Sequence, residues 1–259
     1  MGKSGLVSCI CPTGNRRLFL ARALYYWHRQ DFAGELELVI VDGGAEKFAA
    51  SPHGIDAIDR YTSPGRTIRY FECPAGMTVG ERRNFAVEQA HGEAILHFDD
   101  DDWYPRDRVT RQLAALSEHP DAVTGSNGMW AYDFIRRRGW RAFGGVAWSG
   151  FGGATLGYMR PTWERAPFPA IQRGEDSAFC KAHAHKIPIA EDLGIYIRHL
   201  RNCTGQLEPR RDPAQTAQVR QALGEDLDWY DRLSELFPPP ALDYRSHLPK
   251  PQTAMQYRY

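Results

Sequence analysis

The chain has 259 residues, enough for one large domain with a substantial buried core, and its 32 basic and 32 acidic side chains balance. That balance excludes the global field of a nucleic-acid or anionic-membrane binder, although a local patch stays open. No apolar run reaches the length of a membrane span and the N-terminus leads straight into a strand, so the expectation is a cytoplasmic protein.

Leu6 to Cys11 reads as a strand ended by Pro12, and Arg17 to Gln30 carries helical spacing through Phe19, Leu20, Ala23, Leu24 and Trp27. Leu36 to Val41 is a second strand closed by Asp42-Gly43-Gly44. This βαβ opening predicts a parallel sheet that gathers ligands at the carboxyl ends of its strands. Further strands are expected over 67–71 and 94–98, and helices over about 79–90 and 107–118. A short strand is placed at 122–124. Residues 125–168, rich in Gly, Trp and Arg, read as a binding loop or an antiparallel excursion. A helix over 177–184, short strands over 187–190 and 194–198, one amphipathic helix over about 214–236 and a Pro-rich extension complete the expected elements. Five scattered cysteines (Cys9, Cys11, Cys73, Cys180, Cys203), without paired C-x-x-C spacing, point to reduced thiols.

The most informative stretch is Asp99-Asp100-Asp101-Asp102, four carboxylates directly after an apolar strand. Like charges this close raise each other's pKa unless a cation compensates them, and hard oxygen ligands suit Mg2+ or Mn2+. Taken alone, the run could equally be a solvated turn before a helix. Cys180, His183 and His185 superficially suggest zinc, but helical phase turns His185 away from the other two.

Six segments occur in a telling order: Val7-Ser8-Cys9-Ile10-Cys11-Pro12-Thr13-Gly14-Asn15-Arg16; Glu37 to Gly44; Gly80-Glu81-Arg82-Arg83-Asn84; Gly92 to Phe98 with the acidic run; Gly174-Glu175-Asp176; and Ile197-Arg198-His199-Leu200-Arg201-Asn202-Cys203-Thr204. Together they resemble the GT-A glycosyltransferases of family 2 over about residues 5 to 205. Two departures stand out: Gly43-Gly44-Ala45 replaces the commoner Asp-Gly-Ser, and Gly14 stands where an aromatic is usual.

The resemblance implies an α/β GT-A fold: a Rossmann-like, mostly parallel sheet flanked by helices, with a small antiparallel acceptor-side portion. It implies a catalytic domain over 1–211, with a nucleotide-sugar half of about 1–105 and an acceptor half of about 106–211. Residues 212–259 would form the C-terminal helix and extension. The implied donor is a nucleoside diphosphate sugar, a UDP-sugar for preference, with Mn2+ or Mg2+ as cofactor.

By the same resemblance Pro12, Thr13, Asn15, Asp42, Arg83 and Asp100 would bind the nucleotide, with Asp42 on the uracil and Arg83 closing over base or ribose; Arg82 would face outward. Asp101 would coordinate the metal, with Asp99 as an alternative first carboxylate and His199 as a further ligand, while Asp102 would cap the next helix. Asp176 would be the general base of an inverting displacement. Trp148, Gly152, Gly153, Glu175 and Arg198 would meet the sugar or acceptor. Read without the resemblance, Asp42 is a turn residue, Asp176 a helix N-cap and His199 a surface histidine.

Ile135-Arg136-Arg137-Arg138-Gly139-Trp140-Arg141 is a dense basic patch with interleaved apolar and aromatic residues, fitting an anionic acceptor: a phosphorylated lipid, an acidic glycan or a modified nucleic acid. Retaining transfer, a nucleotidyltransferase and a non-catalytic sugar- or metal-binding module stay open as alternatives. The second would want a G-x-G-x-R loop where Pro12-Thr13-Gly14-Asn15-Arg16 stands.

Overall fold

The computed structural model describes residues 5–143, 151–189, 191–199 and 212–236. Seven strands form one sheet: β1 (Val7–Thr13), β2 (Leu36–Asp42), β3 (Arg66–Glu72), β4 (Ala94–His97), β5 (Val123–Ser126), β8 (Gly157–Met159) and β9 (Lys186–Ile189), in the order β3-β2-β1-β4-β8-β5-β9. All pairings are parallel except those of β8, which runs antiparallel to both neighbours. A three-stranded sheet pairs β6 (Met129–Asp133) with β7 (Arg138–Phe143) antiparallel and with β10 (Ile195–Arg198) parallel. The 125–168 segment is thus an antiparallel excursion, supplying β6, β7 and β8.

Strands β1 and β2 are buried along their whole length because helices cover both faces. Period-2 alternation sorts their side chains. Cys9, Cys11, Leu38 and Ile40 enter one core with Leu20, Leu24 and Trp27 of α1 (Arg17–His28) and Val109 and Leu116 of α4 (Arg108–Glu118). Ile10, Val39, Val41 and Ile95 enter the other, with Ala86 and Val87 of α3 (Val79–Gln89) and Phe179 of α6 (Glu175–Ala182). Cys9, Cys11, Cys73 and Cys180 are free, buried thiols; Cys203 lies outside the described residues.

Three local readings change. A helix, α2 (Pro52–Tyr61), occupies a stretch read without structure; Ser51 caps it by accepting from the Gly54 N–H, and Pro52 opens it. A short helix, α5 (Arg160–Arg165), follows β8. The single C-terminal helix is two, α7 (Pro213–Leu223) and α8 (Leu227–Leu236), broken where Gly224 takes a φ of 53°, a value that favours glycine. Val219, Leu223, Tyr230 and Leu233 of this pair pack into the α1-side core.

Strand register defines a common rim. Thr13 pairs with Asp42, so β1 and β2 end together, while β4 ends at His97 opposite Ile10 and the acidic run carries on from there to the level of Thr13. Beyond β4, Trp103 and Ile195 exchange backbone hydrogen bonds, stitching the segment after the acidic run to β10 and drawing His199 towards that rim.

Candidate functional site

The four carboxylates after β4 diverge, with only Arg16 shared between two of them. Asp99 forms a two-pronged ion pair with Arg83, at 2.9 and 3.1 Å. Asp100 accepts from the Thr13 hydroxyl at 2.5 Å and lies 2.8 Å from Arg16. Asp101 meets the other nitrogen of the same guanidinium and also His199, whose Nε2 is 3.0 Å away. Asp102 is buried and accepts the Ile197 N–H at 3.0 Å, tying the run to β10. Asp102 therefore does not cap the following helix, whose N-cap position is Asp107.

Burial pushes the Asp100 carboxyl up, and neighbouring Asp101 adds to this more than Thr13 relieves it, although Arg16 pulls the other way. Burial also raises Asp102, reinforced by Asp101 and Asp99. Asp101 goes down: burial acts against ionisation, but Arg16 and then His199 outweigh it.

Thr13 ends β1 beside Asp42, and Pro12 precedes it within the strand. Asn15 has a φ of 56°, and its side-chain oxygen accepts the Glu46 N–H at 3.1 Å, joining the two turns. Asp42 is itself a loop organiser. One oxygen accepts the Gly44 N–H at 2.7 Å, and the other accepts the Phe48 N–H at 2.9 Å and the Tyr70 hydroxyl at 2.6 Å.

Both arginines of α3 reach into the site region. Arg83 is buried and bridges Asp99 and Glu175, whose Oε1 lies 3.2 Å from its Nε. Arg82 does not face outward: it crosses to the β1 turn and donates to the Thr13 carbonyl at 2.9 Å. It also lies alongside Gly14 and Gly43.

Glu175 and Asp176 open α6. Glu175 is buried, and that burial raises its carboxyl despite Arg83. Asp176 lies in the first helical turn, with Gly174 at the N-cap position, and one of its oxygens accepts the Ser177 N–H at 2.6 Å. Its other oxygen rests against Gly153, where a Cβ would come within 2.4 Å. Only glycine permits that approach. Gly152 packs in the same way against the Met129 sulfur.

His97 holds this loop from below: fully buried, it donates from Nδ1 to the Gly153 carbonyl at 2.7 Å and takes the Tyr158 hydroxyl on Nε2 at 3.2 Å. Burial first, and Arg83 second, hold it far below the usual histidine range, so the ring is neutral. Arg108, also fully buried, donates to the His97 and Ala154 carbonyls.

His199 is buried and stacks on Phe19 with ring centroids 4.3 Å apart. Arg198 is buried beside the Trp140 ring, at 5.9 Å. Trp148 and the Leu200–Thr204 part of the last motif lie outside the described residues.

Does the cluster suit a divalent cation? Asp101 and His199 supply a carboxylate and an imidazole nitrogen, a donor pair suited to Mn2+. Asp100 Oδ1 is buried and, although close to Arg16, receives no well-aligned hydrogen bond. The Arg16 guanidinium lies across Asp100 and Asp101 as a cation would. The residues fit, although among the described residues no three side chains of ligand type already converge as a finished set. Zinc is not favoured: Cys180 is a buried thiol with its pKa pushed up to about 11 by burial, His183 contacts the Ala166 carbonyl, and His185 pairs with Asp121.

Arg16, Arg82 and His97 were not singled out as site residues from sequence. For Arg16 a signal existed, since it closes the Pro-Thr-x-Asn-Arg turn; for His97 the only signal is a polar residue inside a strand.

The family model described as Glycosyl transferase family 2 matches residues 8–175. An uncharacterized glycosyltransferase of Haemophilus influenzae is 24% identical over 122 residues, covering 47% of this chain and 46% of that protein. The poly(ribitol-phosphate) beta-N-acetylglucosaminyltransferase TarS of Staphylococcus aureus is 28% identical over 118 residues, 45% of this chain and 20% of the relative. The chain thus matches less than half the length of either curated relative.

Among solved structures, S. aureus TarS 1-349 in complex with UDP-GlcNAc is similar with a TM-score of 0.55 at 18% identity, over 92% of this chain and 68% of that one. The mannosyltransferase PcManGT of Pyrobaculum calidifontis, in complex with GDP-Man and Mn2+, is similar with a TM-score of 0.56 at 16% identity, over 91% and 74% of the respective chains. At such identities the likeness speaks to the fold.

Proposed function

The chain belongs to glycosyltransferase family 2, and we propose that it moves a sugar from a nucleoside diphosphate sugar, a UDP-sugar by preference, to an acceptor hydroxyl with inversion at the anomeric carbon. The observation that carries this is Asp101 beside His199, 3.0 Å apart in a buried cluster at the rim where Thr13 and Asp42 also end. The UDP-GlcNAc complex of TarS supports the choice of donor. The name of that relative, with its poly(ribitol-phosphate) acceptor, supports a phosphate-bearing chain as acceptor.

In this reading Asp101 and His199 would hold a divalent cation, Mn2+ or Mg2+, which would supply positive charge to offset the charge gathering on the diphosphate leaving group. The Thr13 hydroxyl fixes Asp100 beside it. Arg83 anchors Asp99 and Glu175 in one buried ion-paired unit, which sets the position of α6 against the rim. Asp42 shapes the nucleoside turn through three accepted hydrogen bonds and keeps acceptor capacity on Oδ1 for an N–H of the base.

Asp176 is the base. An acceptor hydroxyl becomes an adequate nucleophile when a positioned carboxylate takes its proton as the new C–O bond forms, and the sugar carbon inverts as the bond to the diphosphate breaks. Neutral His97, holding the Gly153 carbonyl, keeps the glycine backbone close enough for Asp176 to lie against it.

The test is nucleotide release from UDP-GlcNAc, UDP-Glc, GDP-Man and dTDP-Glc with and without Mn2+, followed by NMR of the product's anomeric centre. Release that depends on Mn2+ and an inverted product are expected. Retained configuration would overturn the role of Asp176, and no release from any donor would overturn the enzymatic reading.

A further inference from the structure

The turn between β6 and β7 carries Arg136, Arg137 and Arg138, and the first turns of α7 face it. Between them lies an open cavity of about 570 Å3 lined by those three arginines, Arg220, Pro213, Thr216 and Ala217. Four guanidinium groups border it, with two carboxylates in contact: Asp133 at 3.0 Å from Arg136, and Asp231 at 3.5 Å from Arg137 and 3.9 Å from Arg220. Arg138 is exposed and has no acidic partner among the described residues. The cavity is therefore cationic; the N-terminus of α7 beside it is already capped by the Asp212 carboxylate, which accepts the Ala214 and Gln215 N–H groups, so the arginines and not the helix supply the field.

The backbone is built for this display. Arg137 adopts a φ of 53°, an uncommon conformation for a residue with a side chain, and the hairpin is pinned to α7 by the Gly139 N–H to Thr216 hydroxyl bond at 3.2 Å and by the Arg141 N–H to Gln215 bond at 3.0 Å. The Arg220 Nη1 donates to the buried Tyr132 hydroxyl at 2.9 Å, which orients its guanidinium at the cavity wall.

Position ties the cavity to the rim. β6 and β10 are parallel with Asp133 level with Arg198, so the arginine turn and His199 leave the small sheet at the same end. Phe134, at the start of the turn, meets Phe19, and Phe19 stacks on His199.

We propose that this cavity is an anion subsite that takes a phosphodiester group of the acceptor chain, holding the acceptor while a neighbouring hydroxyl is glycosylated. This rests on the glycosyltransferase reading for its purpose, but not for its chemistry. Planar guanidinium groups match phosphate oxygens in pairs. Among the described residues no aromatic ring lines the cavity, so a base would find only guanidinium planes to stack on, and the phosphate of a sugar or polyol chain is the ligand this lining favours over a nucleic acid.

The test is binding of a fluorescent abasic deoxyribose-phosphodiester oligomer and an oligo-dT of equal length to the full chain, by anisotropy at low salt, for wild type, Arg138→Gln and Arg137→Gln. Both positions are exposed, so folding is not at stake. Both probes should bind wild type alike, and each substitution should weaken both by about tenfold, the scale of one lost charge-assisted contact. Unchanged affinity in both variants, or oligo-dT binding more than about tenfold tighter than the abasic chain, overturns the proposal. In the same samples the thermal shift with UDP and Mn2+ should be untouched by the substitutions. A wild type that ignores UDP while binding the oligomer would overturn the donor assignment and leave the subsite standing.

Discussion

Two buried acidic centres share this fold and differ in how they are compensated. Asp226, between α7 and α8, is 3% exposed and receives Arg22, Arg29 at 2.7 Å and the Trp103 indole N–H at 2.7 Å, so two cations and a neutral donor surround one carboxylate. The row Asp99–Asp102 is the reverse. Its four carboxylates share Arg16, Arg83 and His199, and burial raises Asp100 and Asp102. Saturated acid binds helices together; under-compensated acid is poised for a further cation. The centres touch through chain geometry, since Trp103 follows the row and reaches Asp226.

The largest expected effect breaks the contrast at the row. Asp101→Ala should remove transfer and the Mn2+-dependent part of donor binding, yet change the melting temperature little, because Arg16 keeps Asp100 as its partner and Asp100 and Asp102 lose a repelling neighbour, which offsets the forfeited Arg16 and His199 contacts. Kinetics and thermal melting read this together; turnover near wild type in a folded variant would contradict the role given to Asp101.

Next comes Asp176→Asn, which should keep donor affinity and lower kcat by about two to four orders of magnitude, the range for a lost general base. The opposite signature is expected at Asp226. Asp226→Ala leaves two part-buried guanidinium groups and the Trp103 N–H without their carboxylate, so stability should fall by about 3 kcal/mol in urea titrations, with metal-dependent nucleotide binding surviving wherever the chain stays folded. The smallest change is Asp42→Ala, which should weaken nucleotide binding by about tenfold and cost a further 1–3 kcal/mol of stability from the donors left without their acceptor.

Much of this architecture was legible in the residues. Strands β1, β2 and β4 are mostly apolar runs, and a parallel sheet follows from their burial on both faces; β2 and β4 stop at Asp42-Gly43 and before the acidic row, whereas β1 runs through Pro12 to Thr13, beyond the end expected at Pro12. Helix α2 was not legible because Pro52-His53-Gly54 mimics a turn and its amphipathic stripe is short; the Ser51-Pro52 pair was the start signal.

At the site, spacing identified the row but not its partners. The R-N pairing of the resemblance favours Arg83 and leaves Arg82 outward, whereas the long Arg82 side chain reaches back to the Thr13 carbonyl. Asp102 resembled a cap because it precedes a helix, but the Trp103–Ile195 pairing draws it to the Ile197 amide. Such long-range pairings leave no mark in local sequence. Asp226 has the same difficulty: its three donors come from residues 22, 29 and 103.

The most direct measurement is the thermal shift produced by UDP with and without Mn2+, in wild type and in Asp101→Asn. Ligand at a hundredfold excess over its Kd adds about 2.7 kcal/mol to the folded state, which is roughly 5–10 °C for a chain of this size. Wild type should show that shift only when Mn2+ accompanies UDP, and Asp101→Asn should lose the Mn2+-dependent part while melting near the wild-type temperature without ligand. Equal shifts in the two proteins, or a wild-type shift indifferent to Mn2+, would contradict the assignment of the acidic row as a cation site.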